Sequence, residues 1–150
     1  MKEQLQHPLL VVEDSDEDFE ALSRILRRDC QIELAITRCA DGDDALDFIY
    51  RRGQFDMLKE ADLPGLILLD LNLPGTDGRE VLAQIKQDKQ LKKIPIVVFT
   101  TSSNPKDIHT CYQSGVNSFM IKPTNIRQLK ASIQTLVNYW FQTVELPVNA

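Results

Sequence analysis

Short, uninterrupted apolar runs recur along the chain, and segments with helical periodicity separate them. The runs occupy residues 9–12, 66–69, 96–99 and 119–121, and a further run alternates at Ile32, Leu34 and Ile36. Uninterrupted apolar runs of this length are typical of parallel strands that are covered on both faces. The chain is therefore expected to form a parallel sheet between two layers of helices.

A helical stripe of apolar residues follows each predicted strand. Phe19, Leu22 and Leu26 share one helical face, and the last and longest stripe extends from Ile126 to Val144. Strands that alternate with helices in this way favour a (βα)5 arrangement. The predicted fold class is α/β: a doubly wound, flavodoxin-like sandwich with five parallel strands and helices on both faces.

The chain has 150 residues, enough for one hydrophobic core and too few for two ordinary domains. We expect one domain over residues 8–143, with a short lead at 1–7 and a tail at 144–150. The stretch at about 50–64 is the only long connection. It mixes charged and apolar residues, which favours an ordered surface excursion over a flexible linker.

The net charge is −5, from 17 basic and 22 acidic residues. A basic surface is needed to bind nucleic acids or anionic membranes without specificity, so neither is an expected partner. No apolar run approaches the roughly 18–20 residues of a membrane span, and the N-terminus lacks the apolar segment of a signal peptide. The expected location is the cytoplasm.

Chemically useful side chains follow four of the predicted strands. Glu13 and Asp14 come after the first strand, Asp70 after the third, Thr100 and Thr101 after the fourth, and Lys122 after the fifth. Because ligands bind outside the carboxyl ends of the strands in such sheets, these side chains are expected to converge.

Three carboxylates at one edge would repel one another unless a cation lay among them. Oxygen ligands without His or Cys favour Mg²⁺ or Mn²⁺ over zinc. A carboxylate beside such an ion and a lysine is suited to attack a phosphoryl group. The pattern predicts a phospho-aspartate site.

Some of these residues also suit helix capping. Glu13 and Asp14 alone would fit the N-terminus of the first helix, where acidic residues are favoured. Ser15, together with Asp18, is predicted to cap that helix, and Asp77 is predicted to cap the third.

Four motifs together resemble the receiver domain of two-component response regulators. They are Val-Glu-Asp-Ser at 12–15, Leu-Asp-Leu-Asn-Leu-Pro-Gly-Thr-Asp-Gly at 69–78, Phe-Thr-Thr-Ser at 99–102 and Ile-Lys-Pro at 121–123. The match spans about residues 8–140. The Leu-Asn-Leu-Pro-Gly and Thr-Thr-Ser-Ser segments, the loop before the third strand and the aromatic tail resemble the small regulators that are paired with cyanobacterial and bacterial phytochrome histidine kinases.

This resemblance implies that Asp70 accepts a phosphoryl group from the phosphohistidine of a sensor kinase, of phytochrome type in this case. It implies that Glu13, Asp14 and Asp70 hold Mg²⁺, or Mn²⁺, together with the backbone carbonyl of Asn72.

The resemblance also implies roles for residues on the fourth and fifth strands. Thr100 and Lys122 would contact phosphoryl oxygens, and the bond between Lys122 and Pro123 would be cis. Phe119 stands where the family's switch aromatic is often Tyr, so the switch would keep its shape and lose its hydroxyl. Phosphorylation would then alter the surface formed by the fourth helix, fifth strand and fifth helix.

The aromatic tail extends beyond the sheet. A helix needs only about 12 residues to cross a five-residue strand, so one beginning near residue 124 has crossed by about 138. Trp140, Phe141 and Val144 continue the apolar stripe past that point. They fold back against the first helix or form an interface, and we predict a homodimer built partly on the fourth and fifth helices.

The expected protein is a stand-alone response regulator without an attached DNA-binding or catalytic module. It is not a conventional enzyme, because it catalyses only its own phosphorylation and dephosphorylation. One alternative is a degenerate receiver that acts as a dimeric binding module. Another is a phosphohydrolase with an aspartate nucleophile, although such enzymes usually carry a second acid where Asn72 stands.

Overall fold

The structure is a computed structural model that describes residues 7–31, 33, 35–59 and 63–147. Its strands are β1 (Leu9–Val12), β2 (Ile36–Cys39), β3 (Leu66–Leu69), β4 (Ile96–Thr100) and β5 (Ser118–Ile121). Its α-helices are α1 (Asp16–Arg24), α2 (Gly42–Tyr50), α3 (Gly78–Gln87), α4 (Pro105–Gln113) and α5 (Ile126–Val137). This order confirms the predicted (βα)5 fold.

All strand pairs are parallel, in the order β2-β1-β3-β4-β5. The central strands β1, β3 and β4 are buried along their whole length, whereas β2 and β5 at the edges are mostly half-buried. The expectation that every uninterrupted run is covered on both faces is wrong for β5, where Ile121 is 45% exposed. An edge strand has a neighbouring strand on one side only, so its last residue is more exposed to solvent than the residues of a central strand.

The second strand begins later than its alternating pattern predicts. It comprises Ile36–Cys39, of which only Ile36 belongs to the pattern. Ile32 and Leu34 lie outside the described residues.

Successive residues of the central strands point into two separate hydrophobic layers. Leu10, Ile67 and Val98 pack with residues of α2, α3 and α4. Their neighbours Leu9 and Leu68 pack with residues of α1 and α5. Alternate side chains of each strand therefore pack on opposite faces of the sheet, as expected for parallel strands between helices.

The tail folds back onto its own chain. A π-helical turn, Asn138–Thr143, extends α5, and a second one, Ile25–Asp29, extends α1. Phe141 is 1% exposed and belongs to the same buried cluster as Ile25 and Leu26. Helical structure thus continues to Thr143, close to the predicted end of the stripe at Val144, and Phe141 packs into the buried layer that includes residues of α1 and its extension.

The expectation of Phe141 as an exposed interface residue is therefore wrong, and the fold-back arrangement is observed. Trp140 packs against this cluster while remaining partly exposed, and Val144 is also partly exposed. Leu146 is buried there as well, so the tail packs on the domain as far as it is described.

The excursion after α2 is anchored by apolar contacts. A 3₁₀ turn, Gly53–Phe55, places the ring of Phe55 edge-on to Phe48 at 5.3 Å. Leu58 and Leu63 pack against the same core layer. Residues 60–62 lie outside the described residues. None of the helices in the described part of the chain is long and apolar enough to span a membrane.

Candidate functional site

The continued pairing of the strands places Glu13 and Asp70 side by side at the carboxyl edge of the sheet. The amide of Glu13 donates to the carbonyl of Cys39 at 3.0 Å, and the amide of Asp70 donates to the carbonyl of Val12 at 3.0 Å. Both residues therefore prolong the ladder of β1 by one step. Strand order reverses between β1 and β3, which is where a doubly wound sheet binds ligands.

Three carboxylates meet at this edge. Glu13, Asp14 and Asp70 each offer an oxygen, and these oxygens lie within 4.8 Å of one another. Glu13 and Asp70 are buried, whereas Asp14 is exposed. The cluster is therefore shielded from solvent except on the side of Asp14. An all-oxygen donor set of this size fits a hard divalent cation.

Lys122 reaches into the acidic cluster from the end of β5. Its Nζ hydrogen-bonds to Glu13, donates to Asp18 Oδ2 at 2.9 Å and donates to Asp70 Oδ2 at 3.1 Å. Its amide donates to the carbonyl of Thr100 at 2.7 Å, which fixes the start of the side chain. Burial disfavours the ammonium, but the hydrogen bonds outweigh it, so the pKa of Lys122 is raised.

The bond between Lys122 and Pro123 is trans, and the prediction of a cis bond is wrong. The lysine reaches its partners with the intrinsically favoured isomer.

Burial raises the pKa of Glu13 to about 7, although the hydrogen bond from Lys122 acts in the opposite direction. The repulsion from Asp70 adds to the effect of burial. The hydrogen bond and positive charge of Lys122 thus offset only part of the effect of burial on Glu13.

Asp70 is held in one orientation by the loop that follows β3. Its Oδ1 accepts the amide of Leu71 at 2.7 Å, which leaves Oδ2 facing Lys122. The amide of Gly78 donates to the carbonyl of Leu71 at 2.9 Å and closes the loop on itself. Asn72 lies within this loop between two buried leucines.

Thr100 and Phe119 occupy neighbouring strands. Thr100 ends β4 and is fully buried, and its Oγ1 accepts the amide of Ser102 at 3.5 Å. Phe119 lies opposite Val98 in the register of β5 and is half-buried against the layer formed by α2, α3 and α4.

A hydrogen-bonded network links the loop after β4 to the start of α3. Ser102 Oγ donates to Asp107 Oδ2 at 2.7 Å. Arg79 binds both oxygens of Asp107, through Nε at 2.8 Å and Nη2 at 2.9 Å, and its Nη1 also pairs with Asp77 at 3.0 Å. Asp77 caps α3 by accepting the amide of Arg79, as predicted. The network therefore joins the loop that begins at Asp70 to the loop that follows Thr100.

Sequence reasoning missed two residues around the cluster. Ser15 caps α1 by accepting the amide of Asp18, as predicted, but the carboxylate of Asp18 also binds Lys122. Asp18 and Lys122 are 104 residues apart in the sequence, so their spacing gives no signal of this contact. Arg38 on β2 contacts Glu13 and Asp16, and no sequence spacing indicates it.

Residues 9–134 match the response regulator receiver domain family. The parallel sheet, the acidic cluster and the lysine at its edge are those of a receiver domain, and the chain belongs to this family. It is thus a signalling protein and not a metabolic enzyme. Receiver domains bind a divalent metal and act with sensor histidine kinases.

Two response regulators are similar to the chain over most of its length. Response regulator Rcp1 of Synechocystis sp. is 42% identical over 140 residues, which cover 93% of this chain and 92% of Rcp1. The crystal structure of the Mn²⁺-bound form of Rcp1 has a TM-score of 0.86 at 40% identity, covering 93% of this chain and 98% of that chain. The phosphorylated cyanobacterial phytochrome response regulator RcpA has a TM-score of 0.88 at 36% identity, covering 95% and 99%.

Proposed function

We propose that Asp70 accepts a phosphoryl group from the phosphohistidine of a sensor histidine kinase. A carboxylate oxygen of Asp70 attacks phosphorus, the new O–P bond forms, and the P–N bond breaks with its electron pair returning to the histidine nitrogen. The observation that carries this proposal is the contact of 3.1 Å between Lys122 Nζ and Asp70 Oδ2 beside the acidic cluster.

Lys122 and Thr100 bind the oxygens of the transferred phosphoryl group. Lys122 is fixed at its backbone to Thr100, so the ammonium and the hydroxyl belong to one rigid pair of strands. The ammonium faces Asp70 before transfer and is placed to contact a phosphoryl oxygen afterwards.

Glu13, Asp14, Asp70 and the backbone carbonyl of Asn72 hold Mg²⁺, and the same oxygen donors suit Mn²⁺. When bound, the metal neutralises charge on the phosphoryl oxygens during transfer. Asp14, the exposed member, leaves the site open to the incoming phosphoryl donor.

Phosphorylation draws Thr100 toward the new phosphoryl group and lets Phe119 move into the space beside it. The surface of α4, β5 and α5 changes as a result and binds a partner. Phe119 is half-buried on β5 and Thr100 is buried on the adjacent strand, which supports coupling between them.

The receiver domain occupies residues 8–143.

The sensor kinase that phosphorylates it is of phytochrome type. The similarity to RcpA, a cyanobacterial phytochrome response regulator, supports this partner. A phytochrome kinase that carries phosphohistidine should transfer its phosphoryl group faster than a histidine kinase of another sensor class. Equal transfer rates would remove the support for this pairing. The net charge of −5 favours a protein partner over a nucleic acid.

Two copies of the chain associate through α4 and α5, with Trp140 and Val144 at the margin. Exposed apolar side chains on α4, on α5 and on the turn that extends α5 support this arrangement: Tyr112, Ile126 and Tyr139. Light scattering at micromolar concentration should give twice the mass of the chain, with or without a phosphoryl mimic. A monomer mass under both conditions would rule it out.

The decisive experiment is incubation with acetyl phosphate and Mg²⁺ followed by a phosphate-retarding gel. The wild type should give a retarded band and Asp70→Asn should give none. Asp47→Asn is the matched control, because Asp47 is a partly exposed carboxylate of α2 paired with Arg52. No shift in the folded wild type refutes the proposal, and sustained turnover of phosphomonoesters would favour the hydrolase alternative.

A further inference from the structure

Arg38 on the edge strand β2 contacts both ends of the turn that carries Asp14. Its Nε donates to the backbone carbonyl of Glu13 at 3.0 Å. Its Nη1 donates to Asp16 Oδ1 at 2.7 Å. One planar side chain therefore brackets Asp14 from the residue before it and from a residue after it.

The guanidinium is itself held in place. Its central carbon lies 5.0 Å from the centre of the Phe19 ring, a cation–π contact, and Phe19 packs against the buried layer of α1 and α5. The backbone of Arg38 is fixed opposite Val11 in the parallel register. Arg38 thus connects the turn to two rigid elements, the sheet and α1.

The turn needs such support because its metal-binding side chain is exposed. Glu13 and Asp70 are buried and hydrogen-bonded, whereas Asp14 is exposed and has solvent on its open side. The direction of the Asp14 carboxylate depends on the backbone at residues 13–16. A fixed backbone lowers the entropy lost when the ion binds, and outer contacts of this kind commonly tune metal affinity.

We propose that Arg38 is a positioning residue for divalent metal binding, holding the turn at 13–16 so that Asp14 faces Glu13 and Asp70. This inference rests on the proposed metal site. The two hydrogen bonds of Arg38 go to the backbone carbonyl of Glu13 and to the side chain of Asp16. Arg38 therefore acts on the turn and not on the carboxylates that would bind the metal.

The sign of the effect separates positioning from simple electrostatics. A positive charge beside an acidic site weakens cation binding by repulsion, so removing Arg38 should strengthen binding if charge alone mattered. Positioning requires the opposite result. Arg38→Lys keeps the charge and loses the two-pronged bracket, and Arg38→Met keeps an apolar stem over Phe19 and removes the charge.

The test is titration of the purified, metal-free chain with Mn²⁺, with the free ion followed by electron paramagnetic resonance. Both Arg38→Lys and Arg38→Met should weaken Mn²⁺ binding by about tenfold, the lower end of what outer contacts contribute. Asp16→Asn should change it by less than about twofold, because the Asn side chain keeps an oxygen that can accept from Arg38 Nη1.

Arg52→Lys is the matched control. Arg52 also pairs with a carboxylate, that of Asp47 at 3.3 Å, and also lies over an aromatic ring, that of Tyr50 at 4.9 Å. It follows the C-terminus of α2, away from the carboxyl ends of the strands where the acidic cluster lies. Its affinity should equal that of the wild type. Thermal unfolding of each metal-free variant shows whether any change in affinity follows a change in stability.

The outcomes are distinguishable. Mn²⁺ affinity within twofold of wild type in folded Arg38→Lys, or tighter binding in Arg38→Met, overturns the inference. Asp14→Asn tests the metal site itself and should abolish binding. If Asp14→Asn binds normally, the proposed site fails; if it does not bind while both Arg38 variants do, only the role of Arg38 fails.

Discussion

Single residues set the charge balance around Lys122. Asp18 competes with Asp70 for the ammonium and adds a negative charge where the phosphoryl donor approaches. Asp18→Asn should therefore speed phosphorylation by acetyl phosphate by about threefold, as expected for removing one screened like charge. Because Asp18 is 48% exposed, the free energy of unfolding should change by less than ~1 kcal/mol.

The control for this prediction is Glu17→Gln, which removes an exposed charge from the same helical turn. The initial rate of the gel shift measures both variants. A rate for Asp18→Asn equal to that of Glu17→Gln, or below wild type, would contradict competition for Lys122.

Asp107 should contribute to stability in a way that depends on pH. Its hydrogen bonds from Arg79 and Ser102 lower the pKa of Asp107 to about 2, from an ordinary value near 3.8. A carboxylate with a lowered pKa stabilises the fold above about pH 4, and this contribution is lost as the pH falls toward 2. Urea unfolding at pH 7 and pH 3 should show a smaller loss of stability in Asp107→Asn than in wild type, by about 1 kcal/mol.

The matched variant is Asp56→Asn, an exposed carboxylate outside this network. It should lose as much stability between the two pH values as wild type does. An Asp107→Asn profile parallel to wild type would show that the network does not depend on that charge.

Some of these residues could be predicted from the sequence and others could not. The placement of Glu13, Asp70, Thr100 and Lys122 at one edge follows from where four apolar runs end, because parallel strands share a direction. The partners of Arg38 depend on the register between neighbouring strands, and a pattern in one segment carries no information on register.

At the scale of elements, α3 lies close against the loop after β3. A Cβ on Gly78 would lie 2.2 Å from the carbonyl oxygen of Asp70 and 2.7 Å from Cα of Leu71. Gly78→Ala must push α3 away from that loop, which should cost about 1–3 kcal/mol and slow phosphorylation. Gln87→Ala, at the exposed end of the same helix, should leave both quantities unchanged.

Urea unfolding and the initial rate of the gel shift together check this prediction. If Gly78→Ala is as stable as the wild type, the loop after β3 can move to make room for the added methyl group without lowering the free energy of unfolding. Reduced stability with an unchanged rate would mean that the position of Asp70 does not depend on α3.

The tail also shows how far the sequence alone can predict the packing of an element. The helical stripe to Val144 could be predicted from its periodicity, since α5 and the turn that extends it reach Thr143. The burial of Phe141 could not, because it depends on how the tail packs into a layer that includes residues of α1 and its extension. Phe141→Ala should lower the free energy of unfolding by about 3–5 kcal/mol, because it empties a buried site.

Tyr139→Ala is the comparison, since Tyr139 is 51% exposed two residues away in the same turn. It should cost less than ~1 kcal/mol in the same urea titration. Similar losses for the two variants would mean that the tail does not pack as observed.

At the scale of the whole molecule, metal binding and folding are linked, because the three carboxylates come from two strands that meet only in the folded chain. At a Mg²⁺ concentration ten times the measured Kd, the folded state should gain about 1.4 kcal/mol. For a chain of this size that raises Tm by about 3–6 °C. Sodium chloride at equal ionic strength should not reproduce the shift, and Asp14→Asn should lose it while unfolding reversibly in metal-free buffer. A shift of the same size in Asp14→Asn would mean that Mg²⁺ stabilises the fold from some other place on its acidic surface.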